Sequence, residues 1–137
     1  MQTEFVVETR GPGMVEVTRE VAAWLPGGDG VLTLMVRHTS ASLLIQENAD
    51  PDVQVDLMNW LDRLVPGADH PSMSYLTHVL EGPDDMPAHI KASLLPTSVQ
   101  IPVLDGRMRL GTWQGIYLVE HRSRPHRRTV AAVFLGA

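Results

Sequence analysis

The sequence predicts an α+β fold. Strand-like segments rich in Val, Ile and Leu lie toward both ends of the chain, and helical patterns lie between them. Strands and helices do not alternate regularly, so the parallel sheet of a doubly wound protein is not expected. The chain has 137 residues, the usual length of one domain, without an internal repeat or a linker. We expect residues 1–137 to form one domain with two or three helices.

The N-terminal third predicts a strand, a helix and a second strand. Residues 4–9 mix Val and Phe with polar residues and predict a strand that the Gly-Pro-Gly run at 11–13 ends. Residues 15–25 place apolar side chains at helical spacing. After a Gly-rich loop at 26–30, residues 31–36 predict a strand that delivers His38, Thr39 and Ser40 at its end.

Two further helices and a C-terminal set of strands complete the prediction. Asp50 is expected as the N-cap of a helix with Pro51 at its first position, which the Pro-Gly pair at 66–67 stops. A shorter helix is predicted from Pro87, at its first position, to about Leu95. Residues 99–104, 108–110, 115–120 and 129–135 then read as an antiparallel meander, with a turn at 105–106.

The composition excludes several classes of function. A net charge of −5 argues against a general nucleic-acid surface, although six of the ten arginines lie between Arg107 and Arg128 and leave a local anion site open. No apolar run approaches the ~20 residues of a membrane helix. The N-terminus lacks a basic leader and an apolar core, so we expect a cytoplasmic protein. With no cysteine, any metal has histidine and oxygen ligands.

Residues 75–91 are the densest cluster of reactive side chains. His78 and His89 are too far apart for one helical face, but Pro83 and Pro87 favour a turn that brings them together. With Pro87 at the first helical position, the helix dipole favours a neutral His89. The adjacent carboxylates of Asp84 and Asp85 oppose that effect, and an equally good interpretation makes one of them a capping residue.

Other candidate groups have a functional and a structural interpretation each. Histidine and carboxylates recur at 38–52 and at 120–126, but no spacing matches a fixed zinc signature, so a structural histidine is the commoner outcome. Thr39 and Ser40 suit a phosphate or carboxylate, or form a local turn. Trp113, between two glycines, suits stacking on an aromatic ring, or a core or subunit contact. No nucleophile elbow, P-loop or dinucleotide fingerprint is present.

Three blocks of the chain closely resemble the YjbQ family, whose members are often called secondary thiamine-phosphate synthases. The blocks are HTSASLLIQENADPDVQVD at 38–56, EGPDDMPAHIKASL at 81–94 and IPVLDGRMRLGTWQGIYLVEHR at 101–122. The resemblance implies a compact α+β domain of packed sheets, a homotrimer, and a site of histidines and acidic residues. The positions that carry over are His38, Glu47, Asp50, His78, Asp84, Asp85, His89, Lys91, Trp113, Glu120 and Arg122.

The sequence and this resemblance together suggest a metal-assisted enzyme that acts on a phosphorylated small molecule. The named candidate joins a pyrimidine pyrophosphate to a thiazole phosphate and releases pyrophosphate. A divalent ion, Zn or Mg, is expected on His38, His78 and His89. The expected catalytic residues are His38, Glu47, Asp84, Asp85 and His89, and the expected substrate contacts are Thr39, Ser40, Lys91, Trp113, Glu120 and Arg122. The alternatives are a non-catalytic trimeric module that binds a phosphate metabolite, or a metal-dependent phosphoester hydrolase.

Overall fold

Two antiparallel sheets and three helices build the fold, so the predicted α+β class is confirmed. The structure is a computed structural model that describes residues 1–137. The strands are β1 (Gln2–Glu8), β2 (Gly13–Glu16), β3 (Gly30–Val36), β4 (Ala41–Glu47), β5 (Ser98–Leu104), β6 (Arg107–Met108), β7 (Gln114–Glu120) and β8 (Arg127–Gly136). The helices are α1 (Thr18–Trp24), α2 (Pro51–Leu64) and α3 (Asp85–Leu94), with a 3₁₀ turn at Pro71–Met73.

The two sheets pack around a shared core. One has the order β1-β8-β3-β5-β6 and the other the order β2-β7-β4. Core side chains come from both sheets, for example Leu32 and Leu34 of β3 with Ile116 and Leu118 of β7. Strand β8 alternates between buried and partly exposed residues, as a sheet with one covered face does. By contrast β7 is buried from its second residue onward, because helices cover the outer face of its sheet.

Strand β2 occupies the start of the segment predicted as one long helix. The prediction is right for α1 and wrong for Val15 and Glu16, because residues 13–16 pair with Tyr117 to Glu120 of β7. No element is predicted at 41–47, yet β4 lies there and pairs with the other side of β7. Both errors have the same cause. The partner strand, β7, is far away in sequence, so no local pattern indicates the pairing.

The predicted C-terminal meander is also wrong. Strands β5 and β6 form a hairpin whose turn, as predicted, is Asp105-Gly106, and both residues have the positive φ of a type I′ turn, at 51° and 73°. Strand β7 then crosses to the other sheet, and β8 returns to lie between β1 and β3. The chain thus carries residues 120–127 over the edge between the sheets, where the polar side chains gather.

The helix ends position the candidate site. Asp50 caps α2 as predicted, since its Oδ1 accepts the N–H of Asp52 at 2.9 Å with Pro51 at the first position. Helix α3 begins two residues earlier than predicted, at Asp85, so Pro87 is its third residue and His89 lies beyond the first turn. The dipole argument for a neutral His89 therefore fails. None of the helices is both long and apolar enough to cross a bilayer.

Candidate metal centre and adjoining cleft

Asp85 lies at the centre of a group of three potential metal ligands. The Nε2 atoms of His78 and His89 and a carboxylate oxygen of Asp85 all lie within 4.8 Å of one another. His78 Nε2 is 2.6 Å and His89 Nε2 3.2 Å from the same oxygen, Oδ2. The two rings meet edge to face with centroids 5.5 Å apart, so the predicted convergence of the two histidines is confirmed.

Local sequence explains this geometry. Asp85 and His89 are four residues apart on α3 and therefore share a helical face. His78 lies on the preceding segment, which turns back at Gly82 and Pro83. Gly82 has a φ of 100°, a conformation that residues with a Cβ rarely adopt. The turn that the prolines predict is thus completed by a glycine.

Arg122 holds the buried carboxylate in place. The Asp85 side chain is only 4% exposed, and its other oxygen, Oδ1, accepts from Arg122 Nη1 at 2.7 Å. Burial by itself raises the pKa of Asp85, but the hydrogen bond from His78 and the charge of Arg122 outweigh it, and the pKa is lowered. Asp85 is therefore an anion, and it can bind a cation together with the two imidazoles.

Asp84 has a different role from the one expected. It occupies the N-cap position of α3 without a side-chain capping bond, and its Oδ2 accepts from Arg122 Nε at 2.8 Å and from the Ser123 backbone and hydroxyl at 3.0 Å. These bonds hold the pKa of Asp84 well below its usual range although burial opposes them. Asp84 contacts no histidine, so it anchors residues 122–123 to α3.

His38 lies outside this group of ligands. Its Nε2 is 2.8 Å from the backbone N–H of Thr129. A backbone N–H only donates, so Nε2 is the unprotonated nitrogen and Nδ1 carries the proton. Burial and the nearby charge of Arg128 lower the pKa of His38, which favours this neutral form. This geometry does not support the prediction that His38 binds a metal with His78 and His89, because the Nε2 lone pair already accepts the Thr129 N–H.

A cleft of about 640 Å³ nevertheless joins His38 to His89. Its remaining lining comes from the C-terminal part of α3 and the segment that follows it, together with Thr39. The lining contains hydroxyls and small apolar groups but no lysine or arginine. The lining residues are His38, Thr39, His89, Ala92, Ser93, Leu95, Pro96 and Thr97. His89 thus belongs both to the ligand group and to the cleft.

Ser40 and Glu120 are structural rather than exposed to a substrate. Glu120 is fully buried, and it accepts from Thr9 Oγ1 at 2.6 Å, from Arg128 and from the Arg122 backbone. Burial raises the pKa of Glu120, but the hydrogen bonds from Arg128 and Thr9 outweigh burial, and the pKa is lowered. Arg128 also donates to the Ser40 carbonyl and hydroxyl. Both residues were expected to bind substrate, and both accept hydrogen bonds from Arg128 within the chain.

Glu47 and Trp113 lie at the other end of the small sheet. Ala41 pairs with Glu120 and Glu47 with Gln114, so six residues of strand, about 20 Å, separate Glu47 from the Glu120 end. Trp113 directly precedes Gln114 and is 64% exposed. Asp50 also stays at this end, where its N–H donates to Glu47. Glu47, Asp50 and Trp113 were expected to form one site with His89, but within a single chain they lie at the opposite end of the small sheet.

Lys91 faces away from the ligand group. Its Nζ is 2.5 Å from Asp62 Oδ1 on α2, and the lysine side chain is 9% exposed. Lys91 and Arg122 are thus both balanced by carboxylates inside the chain. Asp62 and Thr129 were missed by sequence reasoning, because their partners lie 29 and 91 positions away and no local pattern marks them.

The chain has many relatives with the same fold. Residues 3–137 match the family described as UPF0047 protein YjbQ-like. The UPF0047 protein sll1880 of Synechocystis is 47% identical over 132 residues, covering 94% of this chain and 87% of the relative. YjbQ of Salmonella typhimurium is 43% identical, covering 88% and 84%. A solved structure of a conserved hypothetical protein from Thermus thermophilus is 36% identical, with a TM-score of 0.85 over 97% of this chain and 99% of that one.

Proposed function

The chain belongs to the YjbQ-like UPF0047 family, and on this premise we propose that it is a metal-assisted enzyme acting on a phosphorylated small molecule. The observation that carries the proposal is the group of His78, Asp85 and His89, whose ligand atoms lie within 4.8 Å of one another. Two imidazoles and one carboxylate form a donor set that suits Zn²⁺ and leaves further positions for substrate. Both histidines are partly exposed, so a substrate can reach them.

A bound divalent ion supplies Lewis-acid polarisation of a phosphoryl oxygen. The chain's own residues provide the remaining functions. Arg122 fixes Asp85, so that Asp85 Oδ2 stays beside the Nε2 atoms of both histidines as the third ligand of the group. In the cleft, His38 offers a fixed Nδ1–H and Thr39 offers a hydroxyl, whereas the Ser93 hydroxyl already donates to the His89 carbonyl at 2.9 Å. These groups suit the hydrogen-bond acceptors of a polar substrate, with His38 as a donor and not as a base.

Thiamine-phosphate synthesis is the candidate reaction. A bond forms between the thiazole nitrogen and the methylene carbon of the pyrimidine pyrophosphate, while the bond from that carbon to the pyrophosphate oxygen breaks. The family resemblance supports this choice. The cleft lining suits an uncharged ring, since it contains no lysine or arginine, and the ligand group next to it suits the pyrophosphate.

We also propose that the protein acts as a homotrimer. The resemblance implies this assembly, and the open cleft of a single chain has no unpaired cation for a second phosphate. A neighbouring copy is one source of that charge. Light scattering of the purified protein should give three times the mass of the 15.1 kDa chain, and a monomer mass would remove this part of the proposal.

Replacing His89 by Ala tests the metal and the reaction together. His89→Ala removes a ligand, so bound metal and turnover of the two thiamine precursors should fall by at least about tenfold. Losses of this size are typical when the residues around a metal site are changed. His70→Ala is the matched control, because His70 is exposed and contacts Ser72 only. Metal content by mass spectrometry and thiamine phosphate by chromatography are the measurements. Unchanged metal and turnover in His89→Ala would contradict the assignment.

The same assays separate the two alternatives. Metal and phosphate binding without any turnover would identify a binding module. Release of phosphate from generic phosphate esters, lost in His89→Ala, would identify a hydrolase.

A further inference from the structure

A second cavity lies on the side of α3 opposite His89. Lys91 is two positions beyond His89, which is about 200° around the helix, so it projects toward α2 instead of the cleft. The cavity measures about 180 Å³, and Asp62, Asp84, Lys91, His121 and Ser123 contribute its polar lining. At about 30 Å³ per water, it has room for roughly six waters or one small ligand.

His121 leaves one hydrogen-bonding atom in this region without a partner. The residue is 3% exposed, and its Nε2 is 2.9 Å from Ser42 Oγ, whereas the buried Nδ1 has no hydrogen bond. Burial and the charge of Lys91 lower the pKa of His121 to about 4, so the ring is neutral. Such an orphaned buried atom is rare in folded proteins and costs about 1–3 kcal/mol.

The environment of Ser42 selects the tautomer of His121. If Nε2 carried the proton and donated to Ser42, the buried Ser42 hydroxyl hydrogen and the Nδ1 lone pair would both lack partners. If the Ser42 hydroxyl donates to Nε2 instead, only the Nδ1–H is left over. The second arrangement leaves fewer groups unsatisfied. The orphan is therefore a donor, and the missing partner is a hydrogen-bond acceptor.

Lys91 adds a positive charge beside this donor. Its ammonium group has three N–H donors, and its one hydrogen-bond partner is Asp62. The two side chains differ in burial, since Lys91 is 9% and Asp62 60% exposed. Asp62 thus contacts the buried ammonium group of Lys91 from the solvent side, and another anion can replace it as the partner of Lys91. Asp84 also borders the cavity, but Arg122 balances its charge.

From these contacts we infer that the cavity is a binding site for a small oxyanion, a phosphate or a carboxylate. Lys91 Nζ and His121 Nδ1–H are its donors, and the Asp62 carboxylate covers the ammonium group when the anion is absent. The inference is independent of the proposed metal centre, which uses the other face of α3.

Phosphate and acetate titrations monitored by NMR test this site. Protein labelled with ¹⁵N in histidine is treated with EDTA, so that the anions cannot report on a metal at His89. Inorganic phosphate or acetate should shift the His121 Nδ1 signal in a saturable way. Asp62→Asn should strengthen binding by about tenfold, because it removes the competing charge-assisted partner of Lys91. Asp56→Asn, the same change at an exposed position of α2 outside the cavity, should leave the affinity unchanged.

Lys91→Met should abolish the saturable shift. If that variant does not fold, as judged by circular dichroism, Asp62→Asn decides the question alone. Binding of one anion and not the other identifies the ligand class and supports the site. The inference is overturned if neither anion shifts His121 in the Asp62→Asn variant, which would leave ordered water as the occupant, or if folded Lys91→Met binds as the wild type does.

Discussion

Asp85 and Glu120 are two buried carboxylates that an arginine holds, yet their other partners differ. Glu120 receives hydrogen bonds from Thr9, Arg128 and the Arg122 backbone, all of which are fixed and buried or nearly so. Asp85 receives one arginine bond and contacts two histidines that are partly exposed and can exchange their proton for a metal. Burial and an arginine partner are therefore common to both. Glu120 also lies 3.7 Å from Nδ1 of the partly exposed His126, but that nitrogen donates to the Arg124 carbonyl at 2.7 Å, so only Asp85 has histidines hydrogen-bonded to it.

This difference separates a structural from a functional buried anion. Both carboxyl groups have a lowered pKa, so the pKa direction alone does not distinguish them. The distinction lies in what surrounds the anion. Glu120 joins β7, β8 and the Ser40 segment through Arg128, whereas Asp85 presents two ligand atoms toward a cleft.

Removing the charge of Glu120 should have the largest effect on stability. Glu120→Gln leaves Arg128 buried without a counter-charge, and breaking a buried pair in this way costs about 3–5 kcal/mol. The free energy of unfolding from urea denaturation is the measurement. Glu8→Gln, at an exposed position, is the control. A decrease in the free energy of unfolding below about 1 kcal/mol, the range of exposed ion pairs, would show that Glu120 is not the structural anion of this comparison.

Asp85→Asn should reduce stability less and metal binding more. Arg122 keeps its bonds to Asp84 and to the Glu81 carbonyl, so the free energy of unfolding should fall by only about 1–3 kcal/mol, the cost of an unsatisfied buried partner. Metal affinity, measured by competition with a chelator, should fall at least about tenfold. Glu120→Gln protein that remains folded should keep its metal affinity. Equal metal loss in both variants would remove the distinction.

The pH dependence of stability should report on His121, next to Glu120. Its pKa is about 4 in the folded chain and 6.5 in the unfolded reference, so the unfolded chain binds more protons between these values. Stability is complete above about pH 6.5 and decreases as the pH falls toward 4. From about pH 7 to 5.5 the loss should be about 1 kcal/mol. His121→Gln should lack this part of the slope, and an identical slope in both proteins would contradict the assignment.

The exposed pair of Arg37 and Glu4 should give the smallest effect. Their N–O distance is 2.7 Å, the same as that between Arg122 and Asp85, but both side chains are more than half exposed. Glu4→Gln should therefore cost less than about 1 kcal/mol in urea denaturation. A loss as large as that of Glu120→Gln would show that distance, not burial, governs these pairs.

Local patterns were sufficient for much of the fold. The capped helix α2, the Asp-Gly hairpin and the approach of His78 to His89 each follow from residues close together in sequence. Strand β2 and strand β4 were missed, because their pairing with β7 supplies what their own residues leave ambiguous.

The candidate site divides in the same way. His78, Asp85 and His89 lie close together in the sequence, and a turn with a helix start brings them together in space. The partners of His38 and Ser40 lie 91 and 88 positions away, and Thr9, one of the partners of Glu120, lies 111 positions away, so no spacing rule links them. For that reason the sequence did not reveal that His38 and Glu120 are hydrogen-bonded within the chain.

Residue order was enough to predict the fold class, the family and the approach of His78 to His89, since backbone periodicity and turn chemistry act over a few residues. The packed chain was needed to tell which charged groups are already paired, because a hydrogen bond or ion pair depends on contact in space. It thereby made His38 a donor, Glu120 a structural anion and Asp62 the partner of Lys91. Burial then determined how strongly each of these contacts acts.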